Sequence, residues 1–444
     1  YLDFAILTMI ILVWWQIHER SGFSTRSMLG GALEVEPALL LGPFLAFIGV
    51  SLLIFRLFPV VIKAVYHLAI RTGPIWIYIA LQRMAKDPLP YALLTVMLML
   101  ASGLSIFAAT FHGTLSQSTK DQALYSVGGD LVVLSDSLIP LEDKFHNISG
   151  IDAFSTVHRT AVNVLGKPGT PSAQLLSMDS PTLAEVSWFR EDFADISLAE
   201  LVQMLRPADI SQTGILLPER AVTIGMWARL DTPGPPLTVW VRLRDGQGKY
   251  HSLSLGTAHT DGWNLMETLL KTSQGPLKGP IRLISLQIRM DSRFDVRVGS
   301  ISLDDINVTT AVPDHRIVID GFELFHPWVP IPNNGVVADT SEQTSQAAKN
   351  GQGGLKFSWT EPMSGEPRGV LIPPGPFPLP SLGSPIFLNG ETIFLRTNDI
   401  KLPIKIIGVL DYFPSIDPSN NDFLLVEDKE YREYERAIGN SRLQ

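Results

Sequence analysis

Apolar residues form long unbroken runs only in the first quarter of the chain; further on they come in short, alternating runs. Three runs are long: Phe4 to Ile17, Ala38 to Phe58 with Arg56 near its end, and Tyr91 to Phe111 with no charge at all. About 20 apolar residues in a helix cross the hydrocarbon core of a bilayer. The second and third runs meet that length and predict spans at about 38–58 and 91–111. The first predicts a span at about 4–17, clipped by the start of the sequence. Ile75 to Lys86 is apolar, then basic, and ends at Asp87-Pro88, a pattern that suits a helix lying along the inner membrane surface. A buried helix or an extension of the third span are the other readings of that stretch.

Basic residues set the orientation. Arg56, Lys63, Arg71, Arg83 and Lys86 fall between the second and third runs, against Asp87 alone. The excess of Lys and Arg in cytoplasmic loops places this segment inside. The third span then runs outward, and everything after about residue 114 is extracytoplasmic, in a multi-pass protein of the cell membrane. Trp14 and Trp15 are expected at the outer interface.

Beyond residue 115 the pattern changes to a period of two. Leu131–Leu134, Val157–Leu165 and Ala173–Met178 predict strands, and Pro181–Arg206 predicts a helix from Leu198, Leu201, Val202 and Leu205. From about 215 to 312, seven short runs are separated by turn signals such as Asp231-Thr-Pro-Gly234 and Asp245-Gly-Gln-Gly248, the mark of a β-sandwich. Alternation puts Val239, Val241 and Leu243 on one face of a strand, and Met226, Ala228 and Leu230 on one face of another. Trp227, Arg229, Trp240 and Arg242 are left facing outward. An indole-bearing face suits sugar rings, so Trp227, Trp240 and Arg242 are candidate glycan contacts; aromatic residues covering a sheet beneath a neighbouring domain are the structural alternative. Residues 313–374 read as a β-rich extension or connector. Residues 375–444 bring the strands Glu391–Arg396, Ile404–Leu410 and Phe423–Val426 and a charged helix from Asp428.

Composition narrows the chemistry. The 444 residues carry a net charge of −9, which argues against a polyanion-binding role for the chain as a whole, and they include no cysteine. Disulfides, thiolate metal sites and a thiol nucleophile are therefore excluded, and a eukaryotic secreted ectodomain is disfavoured. No phosphate loop, HExxH or GxSxG is present. The histidines His112, His251, His259, His315 and His326 share no ligand spacing, and Asp304-Asp305 reads as the close of a strand rather than an acid–base pair. No cofactor, no metal and no catalysis by this chain are expected.

Three groups of residues are similar to FtsX-like (MacB-type) ABC transporter permeases. They are Leu81-Gln-Arg-Met-Ala-Lys-Asp-Pro88 before a charge-free span; Phe107-Ala-Ala-Thr-Phe111 followed by Tyr125-Ser-Val-Gly-Gly-Asp-Leu-Val-Val133; and Pro378–Ser384 with Gly390-Glu-Thr392 and Ile404–Pro414. The likeness covers roughly 38–210 and 375–430. It implies an α-helical transmembrane bundle (1–114) and an α+β periplasmic-core-type ectodomain in two parts (115–214 and 375–444). Trp263-Asn-Leu and Ile301–Asn307 resemble a carbohydrate-binding jelly roll, inserted between those parts. The family implies a separate ABC ATPase subunit, a dimeric or pseudo-dimeric assembly in membrane lipid, and coupling of ATP-driven closure to extracytoplasmic movement or export. By position, Arg83, Lys86 and Asp87 are the candidate contacts to the ATPase. A membrane-anchored glycan-binding or adhesion protein, with a glycan or cell-envelope partner, is the alternative. The chain is expected to be the middle of a longer protein.

Overall fold

In a computed structural model of the chain, the structure describes residues 8, 24–26, 33–35, 37–72, 74–134, 148–165, 172–205, 209–290, 298–311, 315–324, 328–332, 337–362, 368–397, 400–417 and 422–439. The span predicted at 4–17 lies outside them but for Thr8, as do His326 and, but for Val298, Asp295–Val298, one of the seven short runs predicted as strands between 215 and 312. The chain divides into two compact units, Tyr1–Ala123 and Leu124–Gln444.

The first unit is built on α1 (Pro37–Thr72), α2 (Ile75–Lys86) and most of α3 (Leu89–Val127). Among the described residues, two helical segments are long and apolar enough to cross a membrane: Phe47–Ile70, with a mean hydropathy of 2.1, and Leu89–Val127, with 2.2. Both helices are longer than the apolar runs predict. The second run ends at Phe58; Pro59, which removes an intrahelical donor, follows it, yet α1 continues to Thr72. Lys63 and His67 consequently lie on helical turns, where the sequence places a loop. Along α3 the hydroxyls turn back onto their own helix: Thr95 Oγ1 donates to Tyr91 O at 2.8 Å, Ser105 Oγ to Ala101 O at 2.8 Å and Thr110 Oγ1 to Ile106 O at 2.9 Å. This satisfies polar groups on a helix whose Leu94, Met97, Leu98 and Ile106 are exposed. A small residue brings α1 and α3 close, because a Cβ on Gly103 would stand 2.9 Å from the Phe47 ring. Tyr66 of α1 stacks on Tyr78 of α2 at 5.4 Å.

The second unit contains a closed six-stranded barrel and two further six-stranded sheets. In chain order, the barrel starts with β1 (Val157–Leu165) and β2 (Ser172–Met178), followed by the short helices α4 (Ser180–Val186) and α5 (Leu198–Met204). Ser197 caps α5 with Glu200 in a reciprocal capping box. The single helix predicted over Pro181–Arg206 is therefore two, split by Trp188–Asp195 with a 3₁₀ turn at Glu191–Phe193. Leu131–Leu134, predicted as a strand, has no regular structure and is exposed.

The chain then leaves the barrel and builds a sandwich from β3 (Ala221–Leu230), β4 (Leu237–Arg244), β5 (Tyr250–Ala258), β6 (Asn264–Leu269), β7 (Arg282–Arg289), β8 (Gly299–Thr310), β9 (Arg316–Asp320), β10 (Val329–Pro330), β11 (Thr340–Thr344), β12 (Gly354–Trp359) and β13 (Arg368–Leu371). One sheet has the order β10-β13-β7-β4-β5, with Ile215–Leu216 added to β7; the other has the order β11-β12-β8-β3-β6, with β9 added to β8. Residues 313–374 thus contribute to both sheets. Val239, Val241, Leu243, Leu286 and Ile288 from one sheet and Met226, Ala228, Ile301, Leu303 and Phe357 from the other share one buried core, as the alternation predicts.

After Pro378 the chain returns to close the barrel with β14 (Leu379–Gly383), β15 (Thr392–Arg396), β16 (Lys401–Val409) and β17 (Phe423–Glu427), in the order β14-β16-β15-β1-β2-β17, and ends in α6 (Asp428–Ile438). Two pairings are parallel, β14 with β16 and β2 with β17. Neighbouring residues feed separate cores. Leu175, Leu424 and Val426 pack with Tyr431 and Tyr434 of α6, whereas Leu176, Phe423 and Leu425 pack with Leu201 and Leu205 near α5. Strands clad on both sides read as continuous apolar runs, and Phe423-Leu-Leu-Val426 is one. The last turn of α3 belongs to this unit: Tyr125 Oη donates to Ile416 O at 2.7 Å, and Ser415 N donates to Tyr125 O at 2.6 Å.

Candidate functional site

α6 begins on the barrel and ends on the outer face of the sandwich sheet formed by β4, β5 and β7. The last carbonyls of any helix lack intrahelical donors, and here the sandwich supplies them. Arg242 Nε donates to Arg436 O at 3.0 Å, Ser285 Oγ to Ala437 O at 3.1 Å and Gln287 Nε2 to Ile438 O at 2.9 Å. Gly439 follows in the left-handed region, with φ 101°, the usual stop for a helix. A guanidinium at the carbonyl end also complements the helix dipole. Tyr250, Ile284 and Ala437 form a small apolar cluster beside these bonds.

Two open grooves flank this seam, and Glu433 and Arg436 line both. The first, of about 870 Å³, runs along β4, the Asp245–Lys249 turn and β5. It is lined by Arg242, Arg244, Lys249, Arg282 and Arg436, with Asp245 and Glu433 as its carboxylates. Both carboxylates are engaged. Glu433 accepts from the Tyr250 hydroxyl and faces Arg244 at 3.7 Å and Arg436 at 3.1 Å. Asp245 meets His251 Nε2 at 2.8 Å and accepts from Gln247 N and Lys249 N, each at 2.9 Å. Burial works against the Asp245 carboxylate, but these donors outweigh it and hold its pKa below the usual range. Arg242 is 2% exposed; it donates to Ser252 Oγ at 2.8 Å and lies over the Tyr250 ring. Desolvation lowers its pKa to about 10.

The second groove, of about 720 Å³, lies on the barrel side, with Asp179, Thr182, Asp428 and Arg432 among its residues. Behind it sits Glu427, fully buried, with Oε2 accepting from Ser180 N at 3.0 Å and Oε1 without a partner. Burial, helped by the Asp179 charge, raises the Glu427 pKa. The native state therefore holds this proton more tightly than the unfolded chain. Stability falls as pH rises from the unfolded glutamate value of about 4.3 through the raised native one, and the deficit persists above it. Glu427→Gln keeps an oxygen for Ser180 and removes the charge. Its thermal midpoint should exceed that of the wild type by a few degrees at pH 7 and coincide with it near pH 4, as read by circular dichroism melts at both pH values. An equal gain at both would show that the charge is not the cause.

The residues singled out from the sequence fall in three places. Arg83 and Lys86 occupy the last turn of α2 and Asp87 caps it, its N–H donating to Arg83 O at 3.3 Å; no residue of α2 is buried. Trp227 and Trp240 do not share a face. Trp227 is on β3 and Trp240 on β4, in different sheets, so two outward faces on opposite sides of the sandwich replace the single one read from alternation. Each indole has a cation over it, Lys349 Nζ at 4.8 Å from Trp227 and Arg289 at 5.0 Å from Trp240, while Arg229 lies over Trp263. Arg242 lies beneath α6, within the basic groove.

Asp304 and Asp305 sit inside β8 at a bulge rather than at a strand end, with Asp305 at φ 44°. Asp304 is buried and accepts from Lys349 N and Asn350 N, which fastens the 345–350 loop. Among the described residues no group of three His, Asp or Glu side chains is placed to hold a metal ion. Sequence reasoning missed Arg244, Lys249, Arg282 and Arg436 as members of one groove. The local signal for three of the groove's residues was the basic hairpin Arg242–Lys249; Arg282 and Arg436 join it only through β7 and α6. Compared with family models, curated proteins and solved structures, the chain matches none.

Proposed function

We propose that the chain is part of a mechanotransmitting permease subunit of the FtsX/MacB type. In this reading α1 and α3 lie in the cell membrane, the β-rich unit is extracytoplasmic, and a separate ABC ATPase drives its movement. The observation that carries the reading is the order of parts. A long apolar helix runs without a break into Leu124–Val127, and the unit holding those residues contains a barrel made from two chain segments, β1–β2 and β14–β17, on either side of an inserted sandwich. That is the arrangement expected of a two-part periplasmic core with an inserted jelly roll. Arg83, Lys86 and Asp87, at the exposed end of α2, are the contacts proposed for the ATPase, with the chain itself non-catalytic.

Affinity purification of the full-length protein from native membranes should recover a protein with a phosphate loop and ATPase activity. Arg83→Glu/Lys86→Glu should cut that recovery about tenfold or more, a loss of roughly 1.4 kcal/mol. Recovery of no ATPase from gently solubilised membranes would remove the permease reading. A reporter fused after Gly150 and found in the cytosol would remove the topology.

A further inference from the structure

The groove between the β4–β5 hairpin and α6 has more cationic side chains than its structural work needs. Five basic residues line it against two carboxylates, in a chain whose net charge is −9. Its carboxylates are already occupied by Tyr250, Arg244, Arg436, His251 and backbone N–H groups. The others find no acid. Arg282 donates to Gln212 O, Gly214 O and Gln212 Oε1, all neutral acceptors. Lys249 is exposed at the turn. Arg242, almost fully buried at the seam, bonds only a carbonyl and a hydroxyl and stacks on a ring. Among the described residues no carboxylate pairs with Arg242, Lys249 or Arg282. Burying a cation without a counter-charge is costly, and clustering like charges adds repulsion. An anion in the groove relieves both.

We infer that this groove binds an oligoanion carrying two or more phosphate groups. A volume of about 870 Å³ is far larger than one phosphate or carboxylate requires, which suits a ligand with repeated charges. Guanidinium groups match phosphate oxygens in a bidentate fork, and lysine adds a mobile point charge. The inference does not rest on the permease reading: the groove can bind its ligand whether or not an ATPase is found.

The test is isothermal titration of the full chain in a non-ionic detergent against tripolyphosphate, a glycerol-phosphate oligomer, inorganic phosphate and polygalacturonate. Binding of tripolyphosphate or of the glycerol-phosphate oligomer, tighter than inorganic phosphate and weakening with added salt, is expected. The stronger of the two identifies the source as a free polyphosphate or a phosphodiester polymer. Lys249→Gln, which leaves the turn's backbone bonds in place and changes only an exposed side chain, should weaken it about tenfold. Lys249→Arg should retain it, and Lys349→Gln, in the loop over Trp227 of the other sheet, should leave it unchanged. No measurable binding, an equal loss in Lys349→Gln, or equal affinity for polygalacturonate would overturn the assignment.

Discussion

Asp339→Ala should lower the stability of the β-rich unit by about 3–5 kcal/mol. Asp339 lies just before β11, in one sheet of the sandwich, and its carboxylate accepts two bonds from Arg368 at the start of β13, in the other sheet. Both side chains are buried, at 0% and 4% exposure, and Arg368 also donates to Glu361 O at 3.0 Å and Pro362 O at 2.9 Å. The pair ties the two sheets together at one end. Removing the acid alone leaves a guanidinium out of water with two carbonyls and no counter-charge, the costly half of a buried ion pair. Replacing both partners, as in Asp339→Leu/Arg368→Met, should recover much of the loss, because desolvation of the charges disappears with them. Denaturant unfolding of the full chain followed by tryptophan fluorescence reads both variants. A single-variant loss under about 1 kcal/mol would mean that water reaches the pair and the tie between sheets is weak.

Trp359→Ala should cost a similar amount, about 3–5 kcal/mol, for a different reason. Trp359 ends β12, is 1% exposed and stacks on Phe357 at 6.2 Å in the core shared by both sheets. Its register partner across the ladder is Gly299, and a Cβ there would stand 2.3 Å from the indole. The ring therefore occupies the space a side chain at 299 would need. Gly299→Ala should destabilise on its own through this overlap, and Gly299→Ala/Trp359→Leu should be more stable than the sum of the single losses predicts. The indole Nε1 has no hydrogen-bond partner, so Trp359→Phe, which removes an unsatisfied donor along with some area, should cost clearly less than Trp359→Ala. Circular dichroism against denaturant, which does not depend on the tryptophan removed, reads all of these variants together with Trp359→Leu alone. Additive losses in the double variant would show that the two positions do not share the space.

Much of this architecture was legible because it is local. The apolar runs at 38–58 and 91–111 lie within α1 and α3, the alternating runs at 157–165 and 237–244 lie where β1 and β4 form, and the continuous apolar run at 423–426 lies where β17 forms. The core faces of β3 and β4 followed from period two alone. Misreadings arose where one local cue was outweighed. The apolar run stops at Phe58 in a helix that continues to Thr72, and Leu131–Leu134 had strand composition but no partner strand among the described residues. The Ser197-x-x-Glu200 signal marked a new helix start inside what hydrophobic spacing alone read as one helix.

The candidate site was less legible. Arg242 was visible as an outward residue of β4, but its burial depends on α6, almost two hundred residues further on. Trp227 and Trp240 alternate outward in the same way, and only sheet membership separates them.

By itself, the order of residues determined which segments are apolar helices, where most strands lie and which side chains on each strand face a core, since backbone periodicity acts over a few residues. The tertiary structure alone decided which sheet each strand joins, that the barrel closes across a long insertion, and that five scattered cations line one groove beside α6. Those outcomes depend on contacts between distant segments, whose free energy comes from burying both partners at once and is carried by neither segment alone.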